Sequence, residues 1–213
     1  SDLGKNIIKV FPGDYDETDP IEIVQREGVN ITLEAVGDVV LKNQILIYGS
    51  TRSDGDETLT IKGFTFDLAG ANDNIDIISA PDRLPDNNYS YAHNIKIENN
   101  TFIGNPEVDV VAIKTFRAFG LEISNCKGIN LHSLAQIRAQ SKHFTVSNCT
   151  VTAGEGGINY YGPADAVITG LTVDAADYGI RAGQSTGTVN TSTLTISNSN
   201  LNAQHPVWLR GDA

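Results

Sequence analysis

The motif NIKIENNTF at residues 94–102 is repeated as GLEISNCKG at 120–128 and HFTVSNCTV at 143–151. Related segments lie on both sides of these three: TLTIKGFTF at 58–66, AVITGLTV at 166–173 and TLTISNSNL at 193–201. The aliphatic residues at their centres are separated by 22 to 36 positions: Ile61, Ile97, Ile123, Val146, Ile168 and Ile196. Self-similarity at a period of about 20 to 50 residues indicates a solenoid, in which each repeat buries its apolar side against its neighbours.

Each repeat alternates apolar and polar residues up to its centre, which predicts a β-strand with one buried face. Two positions after the centre, four repeats have asparagine and two have glycine: Asn99, Asn125, Asn148, Asn198, Gly63 and Gly170. Both residue types tolerate positive φ, so this position predicts a tight bend between two short strands. A repeat of about 22 residues is too short for a strand, a helix and a return, and no stretch has a helical apolar period. We therefore predict an all-β solenoid of stacked parallel strands.

Repeats of the form IxIxNNxF and IxISNCxx, with an asparagine at each bend, resemble the right-handed parallel β-helix of the pectin-lyase-like superfamily. The segment KVFPGDYDETDPIEI at 9–23 also resembles the first turns of such proteins. The resemblance covers nearly the whole chain and implies one parallel β-helix domain of about eight to nine coils over residues 1–213. It is specific for the fold and identifies no function, because this fold carries lyases, hydrolases, esterases, adhesins and phage spikes.

Composition narrows the classes of partner. The chain of 213 residues has a net charge of −11 and a pI near 4.6, which disfavours nucleic acid and anionic membranes. No apolar run reaches the roughly 18 residues of a membrane-spanning helix, so no membrane insertion is expected. The chain has no methionine and no signal-peptide pattern, and its last predicted strand, at 207–210, is followed by no polar cap. We therefore expect a fragment of a longer extracellular or cell-surface bacterial protein, with further domains of the same chain as partners.

The second strand of each repeat carries the candidate functional residues. Five apolar residues are expected to stack in register there: Ile113, Ile137, Ile158, Ile180 and Leu209. The residues that follow them then form an outward column: Lys114, Arg138, Asn159, Arg181 and Arg210. Cations stacked about 5 Å apart repel by roughly 1 kcal/mol even in water, so this column predicts a ligand rich in carboxylate or sulfate. In the alternative interpretation, neighbouring acids such as Asp109, Glu155 and Asp177 pair with these bases.

Small residues and aromatic rings beside the column favour carbohydrate as the ligand, because sugars stack on rings and bind forked donors. The positions one before the apolar centres are Ala112, Gln136, Gly157, Gly179 and Trp208, and Phe116 and Tyr161 lie two residues beyond the column. The predicted substrate-binding residues are Gln136, Asn159, Tyr161, Trp208 and Arg210. Alternatively, Trp208 covers a further coil and Tyr161 is an isolated surface residue.

Two functions follow from these residues. The first is a non-catalytic module that binds a polysaccharide, a cell-surface glycan or a partner protein along its long face. The second is implied by the resemblance: a polysaccharide lyase acting by β-elimination on a uronate-containing glycan, with Lys114 or Arg138 as the base and Arg181 neutralising the carboxylate. An insertion at 72–93 would wall its groove. The chain lacks the RxPxxR phrase of pectate lyases and the paired-Asp phrases of related hydrolases and esterases, so no enzyme family is matched.

The cysteine, histidine and acidic residues predict no cofactor. Cys126 and Cys149 lie one coil apart and within disulfide reach, but stacked thiols are ordinary core residues, and we expect them to be free. The four histidines, at 93, 132, 143 and 205, are scattered and form no evident metal site or catalytic triad. The acidic residues at 14–19 and 54–57 lack the spacing of an EF-hand, so they are expected to be solvated loops, with Ca²⁺ ligands as the alternative.

Overall fold

The computed structural model describes residues 5–16, 19–138, 141–161, 165–183 and 193–210. Within these ranges the regular structure is entirely β, and the strands stack as a parallel solenoid of about eight turns. The predicted fold class is therefore confirmed.

The strands are β1 (Lys5–Val10), β2 (Gly13–Tyr15), β3 (Ile21–Val24), β4 (Asn30–Ala35), β5 (Val39–Leu41), β6 (Ile45–Tyr48), β7 (Leu59–Lys62), β8 (Thr65–Asp67), β9 (Ile75–Ala80), β10 (Ala92–His93), β11 (Ile95–Glu98), β12 (Thr101–Ile103), β13 (Val110–Phe116), β14 (Ala118–Ser124), β15 (Lys127–Arg138), β16 (Lys142–Ser147), β17 (Thr150–Tyr161), β18 (Ala166–Thr169), β19 (Thr172–Ala175), β20 (Tyr178–Gly183), β21 (Leu194–Ser197), β22 (Asn200–Asn202) and β23 (His205–Arg210).

These strands form two sheets. The first runs β1-β4-β7-β11-β14-β16-β18-β21, with β10 also pairing β14, and the second contains the remaining fourteen described strands. In the first sheet, the six motif centres pair with one another in sequence order: Ile61, Ile97, Ile123, Val146, Ile168 and Ile196. The register predicted from the repeated motif is thus confirmed for this sheet.

The predicted bends are also confirmed. The backbone φ angle is 56° at Asn99, 53° at Asn125 and Asn148, and 50° at Asn198. Gly63 and Gly170 occupy the same position with φ of 83° and 64°. These values lie in or near the left-handed region, where asparagine and glycine are favoured because other side chains crowd the following carbonyl. Each bend turns the chain from the first sheet into the second.

Like residues stack inside the solenoid. The fully buried rings of Phe66 and Phe102, paired on neighbouring coils, are stacked with centroids 5.2 Å apart, and Phe64 lies 6.0 Å from Phe66. Because every coil contributes its apolar residues to one continuous core, the strands on the outside are held at a fixed spacing. That rigidity positions the groove described below.

Neither cysteine is expected to react with iodoacetamide in the folded protein. Cys126 and Cys149 are free and buried, as predicted, and a hydrogen bond with Cys149, together with burial, raises the pKa of the Cys126 thiol. The thiolate is the reactive species, so the raised pKa opposes alkylation of Cys126, while burial opposes alkylation of both thiols. Mass spectrometry should find no adduct on the native protein and adducts on both cysteines after unfolding in urea. Rapid labelling under native conditions would contradict this placement.

The insertion at 72–93 lies against the solenoid and contains β9 and β10. Ser50 and Tyr91 exchange two backbone hydrogen bonds of 2.9 Å, which fasten the insertion to the loop after β6. The guanidinium carbons of Arg83 and Arg117 lie 3.9 and 4.1 Å from the centroid of the Tyr89 ring. The insertion is therefore packed against the solenoid through β9 and β10, while its tip at 85–89 is exposed.

Candidate functional site

A groove of about 470 Å³ lies on the outer surface of the second sheet, across β9, β13, β15, β17 and β20. Its lining includes four residues predicted from the sequence, Lys114, Gln136, Arg138 and Arg181. It also includes four titratable residues that were not predicted to form the site: Asp76, Asp109, His132 and Glu155. The groove is therefore a mixed-charge surface in which cations and carboxylates alternate.

The predicted single column of cations is wrong. Lys114 pairs with Gln136, which pairs with Asn159, which pairs with Arg181, which in turn pairs with Trp208. We call these five residues the Lys114 row. Within it, two amide side chains separate Lys114 from Arg181, three strand spacings or about 14 Å away, so that stacked-cation repulsion is weak.

Arg138 lies two residues after Gln136 in β15, on the same outer face but outside the Lys114 row. It pairs with Phe116 on one side, and its guanidinium carbon lies 5.4 Å from the ring centroid of Tyr161 on the other. The backbone of Arg210 pairs with Gly183, not with Arg181, and its side chain lies outside the described structure.

The column was wrong because the sequence prediction chose the wrong apolar residue to stack in register in β15 and in β23. Ala135, not Ile137, pairs with Ile113 and Ile158, and Val207, not Leu209, pairs with Ile180. The predicted floor of small residues is wrong for the same reason. A side chain placed at Gly157 or Gly179 would meet core residues, whereas Gln136 and Trp208 belong to the Lys114 row.

Two of the three predicted cations are paired with carboxylates. The Lys114 ammonium lies 3.0 Å from Asp76 Oδ2. The Arg181 guanidinium lies 3.5 Å from Glu155 Oε1, and its Nε donates to Asn159 Oδ1 at 3.2 Å. The alternative interpretation, in which acids neutralise the bases, is confirmed for Arg181 and Glu155, while Asp76 was not among the acids considered.

Arg138 differs from the other two, because no carboxylate of the described residues forms an ion pair with it. Its Nη2 donates to Gln136 Oε1 at 2.7 Å, but its Nε is buried and has no acceptor among the described residues. The Nδ2 of Asn159, a residue with no exposed surface, likewise lacks an acceptor there. Buried donors without partners are costly, so these two groups require an acceptor that the described protein does not supply.

His132 is held between two carboxylates in the same groove. Its Nδ1 lies 2.9 Å from Asp109 Oδ1, and its Nε2 lies 2.5 Å from Glu155 Oε2. Both ring nitrogens of His132 are therefore within hydrogen-bond distance of a carboxylate oxygen. The Tyr178 hydroxyl also donates to Glu155 at 3.3 Å, and burial raises the pKa of this hydroxyl so that it remains a donor.

The sequence did contain a signal for this cluster. Asp109, His132 and Glu155 follow one another at intervals of 23 residues, which is the spacing of two neighbouring motif copies. Residues separated by one coil lie on adjacent strands. Searching for titratable residues at the repeat spacing would therefore have found these three.

Aromatic rings surround the guanidinium group of Arg181. Its central carbon lies 4.3 Å from the ring centroid of Tyr178, 5.8 Å from that of Trp208 and 6.0 Å from that of Tyr161. Trp208 and Tyr161, both predicted as sugar-binding residues, thus lie at the end of the groove next to Arg181. Such contacts hold a guanidinium in place while leaving some of its N–H groups for a ligand.

Among the described acidic residues of the two segments, Asp14, Asp16, Asp19, Asp54 and Asp56 are exposed, as the sequence predicts, and Glu57 is the exception. Asp14 lies 3.6 Å from Lys42, and Glu17 is outside the described residues. In the other segment, Asp54 is paired with Arg52 at 3.0 Å, whereas Glu57 is buried. Within the described chain, no three His, Cys, Asp or Glu side chains form a group that could hold a metal ion.

No protein-family model, no curated protein and no solved structure matches this chain. The described residues contain no helix long and apolar enough to cross a membrane. The fold and the groove define the class of this protein: a parallel β-solenoid with a mixed-charge groove on the outer surface of one sheet.

Proposed function

We propose that this protein binds an acidic polysaccharide, bearing uronate or sulfate groups, in the groove around Arg138. The observation that carries the proposal is the guanidinium of Arg138, a cation in the groove without a carboxylate partner among the described residues. A planar guanidinium pairs well with a carboxylate or sulfate, which would accept from its free N–H groups.

The surroundings of Arg138 favour a sugar as the carrier of that anionic group. Tyr161 lies beside both Arg138 and Arg181, and Trp208 lies beyond Arg181, so the cations are adjacent to rings. The groove is open and crosses five strands, which suits a linear polymer better than an enclosed small molecule. Lys114, because it is paired with Asp76, would contribute less to anion binding than Arg138.

The wider setting of the proposal comes from the sequence. The resemblance to the right-handed, pectin-lyase-like β-helices supports polysaccharide as the ligand class, and the Asn, Thr, Ser and Gly content is typical of secreted bacterial solenoids. We therefore propose a non-catalytic module of an extracellular or cell-surface bacterial protein, with Gln136 as a further groove residue.

Replacing Arg138 with alanine is expected to weaken polysaccharide binding by about tenfold or more, since a hydrogen bond to a charged group contributes about 1.5–3 kcal/mol. Isothermal titration calorimetry with alginate, pectate and glycosaminoglycan fragments measures the affinity. The matched control is Lys96→Ala, which removes a cation from the first sheet, where it pairs with Glu122 at 3.0 Å. Equal binding by wild type and Arg138→Ala would exclude the proposed site.

The second candidate function is β-elimination of a uronate-containing glycan, and the observation that favours it is His132. A lyase needs a base for the proton beside the uronate carboxylate, a cation that neutralises this carboxylate, and a proton for the departing oxygen. Arg138 and Arg181 suit the second role. Lys114, as an ammonium ion that donates to Asp76, is a poor base. His132 and Glu155 are further groove residues of the types that serve as general acids or bases, so they are the candidates for the two proton transfers.

Ultraviolet absorbance of an unsaturated product distinguishes the two functions. We would incubate the protein with the same three polysaccharides, with and without Ca²⁺. Absorbance that appears with wild type and is lost in His132→Gln would establish the lyase. Binding of a polysaccharide without any unsaturated product, even after incubation for a day, would exclude the lyase and leave the binding module.

A further inference from the structure

The carboxylate of Glu57 is buried without a partner. Glu57 is 1% exposed, and neither of its carboxylate oxygens has a hydrogen-bond partner among the described residues. An ionised carboxyl group in such a place is strongly destabilised unless a proton or a cation neutralises it. Glu57 therefore differs from an ordinary acidic residue in a surface loop, and its counter-charge needs an explanation.

The arginine of the same loop does not supply this charge. Arg52 directs its Nε and Nη2 to Asp54, at 3.0 and 3.2 Å, and its Nη1 to Glu27 at 2.7 Å. The carboxylate of Glu57 instead lies against the backbone of Gly55, so closely that a methyl group on Gly55 would collide with it. The loop thus covers the Glu57 carboxylate, while its basic residue, Arg52, pairs with Asp54 and Glu27.

The nearby histidine is also held by other groups. The Nε2 of His93 is 2.9 Å from the carbonyl oxygen of Arg52, and the backbone of His93 is bound by both ends of the Gln25 amide, at 2.7 and 2.9 Å. The loop at 49–57 contains three acidic residues, Asp54, Asp56 and Glu57, and one basic residue, Arg52. The local field therefore favours a cation.

We propose that the loop at 49–57 binds a hard divalent cation of the Ca²⁺ type, with the Glu57 carboxylate as its buried ligand. Ca²⁺ accepts six to eight oxygens from carboxylates, backbone carbonyls and water, and extracellular sites with few charged ligands bind it with dissociation constants of about 10⁻⁴–10⁻³ M. Asp56, which is exposed and next to Glu57, is the second carboxylate that the loop offers. The remaining ligands are backbone oxygens of the loop and water.

This cation would link the loop to the insertion that follows it. The loop is already joined to that insertion by the hydrogen bond from the Gly49 N–H to Ser90 Oγ, at 2.9 Å, and by the Ser50–Tyr91 pair. The proposal does not depend on the glycan groove, whose residues lie on other strands.

Calorimetric titration of the EDTA-treated protein with Ca²⁺ alone tests the proposal. We expect millimolar or tighter binding by wild type, at least tenfold weaker binding by Glu57→Gln, and unchanged binding by Asp86→Asn, which removes an equal charge from the exposed tip of the insertion. If Ca²⁺ binds Glu57→Gln as tightly as wild type, the cation is elsewhere and the proposal is wrong. If wild type binds no Ca²⁺, the proposal is also wrong.

A measurement on wild type alone covers the case in which Glu57→Gln fails to fold. Ca²⁺ should slow tryptic cleavage after Arg52, because it orders the loop, and should leave cleavage after Lys96 on the first sheet unchanged. Cleavage after Arg52 at the same rate in EDTA and in Ca²⁺ would overturn the proposal.

Discussion

Replacing Phe102 with alanine is expected to lower the free energy of unfolding by about 3–5 kcal/mol, the usual cost of removing a large aromatic side chain from a core. Phe102 has no exposed surface, and its ring is stacked on Phe66 of the preceding coil. On the following coil it faces Gly128, beside which the side chains of Leu131 and Val151 already fill the space. The cavity would persist because main-chain hydrogen bonds hold the coils at a fixed distance.

Urea unfolding followed by circular dichroism measures this loss. The matched control is Thr101→Ala, a partly exposed neighbour in the same strand, which should change the free energy of unfolding by less than about 0.5 kcal/mol. Phe102→Leu should lie between the two, since it keeps most of the apolar volume. A loss of less than about 1 kcal/mol for Phe102→Ala would mean that the coils collapse into the cavity, contrary to a rigid stack.

The second large effect is expected at Asn100, where alanine should cost about 2–4 kcal/mol. The buried Asn100 amide accepts from the Phe64 N–H and donates to the Ile61 carbonyl oxygen, both at 2.9 Å. It therefore satisfies two backbone groups at the bend of the neighbouring coil. Alanine would leave both groups unpaired, at about 1–3 kcal/mol each, with partial compensation by water.

The adjacent Asn99 provides the control for Asn100. Asn99 is exposed and has a φ of 56°, so its role is the bend itself. Asn99→Gly should change the free energy of unfolding by less than about 1 kcal/mol, because glycine adopts this conformation readily. If Asn99→Gly were as destabilising as Asn100→Ala, the buried hydrogen bonds would not be the reason for the loss.

The fold was predictable because its signal is local and repeated. Alternation within each motif predicts a strand, Asn or Gly after each centre predicts a bend, and similar spacing predicts stacking. Each of these properties is independent of what happens elsewhere in the chain. The structure agrees on the pairing from Ile61 to Ile196 and on the positive φ at Asn99, Asn125, Asn148 and Asn198.

The groove was predicted only in part. Lys114, Arg138 and Arg181 do line one groove, but Arg138 lies beside the row of the other two. Ala135 and Ile137 are two apolar residues of the same strand face that could stack, and register shifts between Gly128 and Ser133 accompany the pairing of Ala135. The sequence pattern alone does not distinguish these choices, because both keep the polar residues outside.

Periodic residue types were thus sufficient to specify the coil, its bends and its buried face, since one alternation and one bend residue per repeat encode them. Which side chains meet across neighbouring coils was decided by three-dimensional packing, including the pairing of His132 with Asp109 and Glu155 and the burial of Glu57. The physical reason is that a two-residue shift along a strand preserves the inward and outward faces but moves every side chain to another row. Main-chain hydrogen bonds and core packing over whole coils select among such shifts.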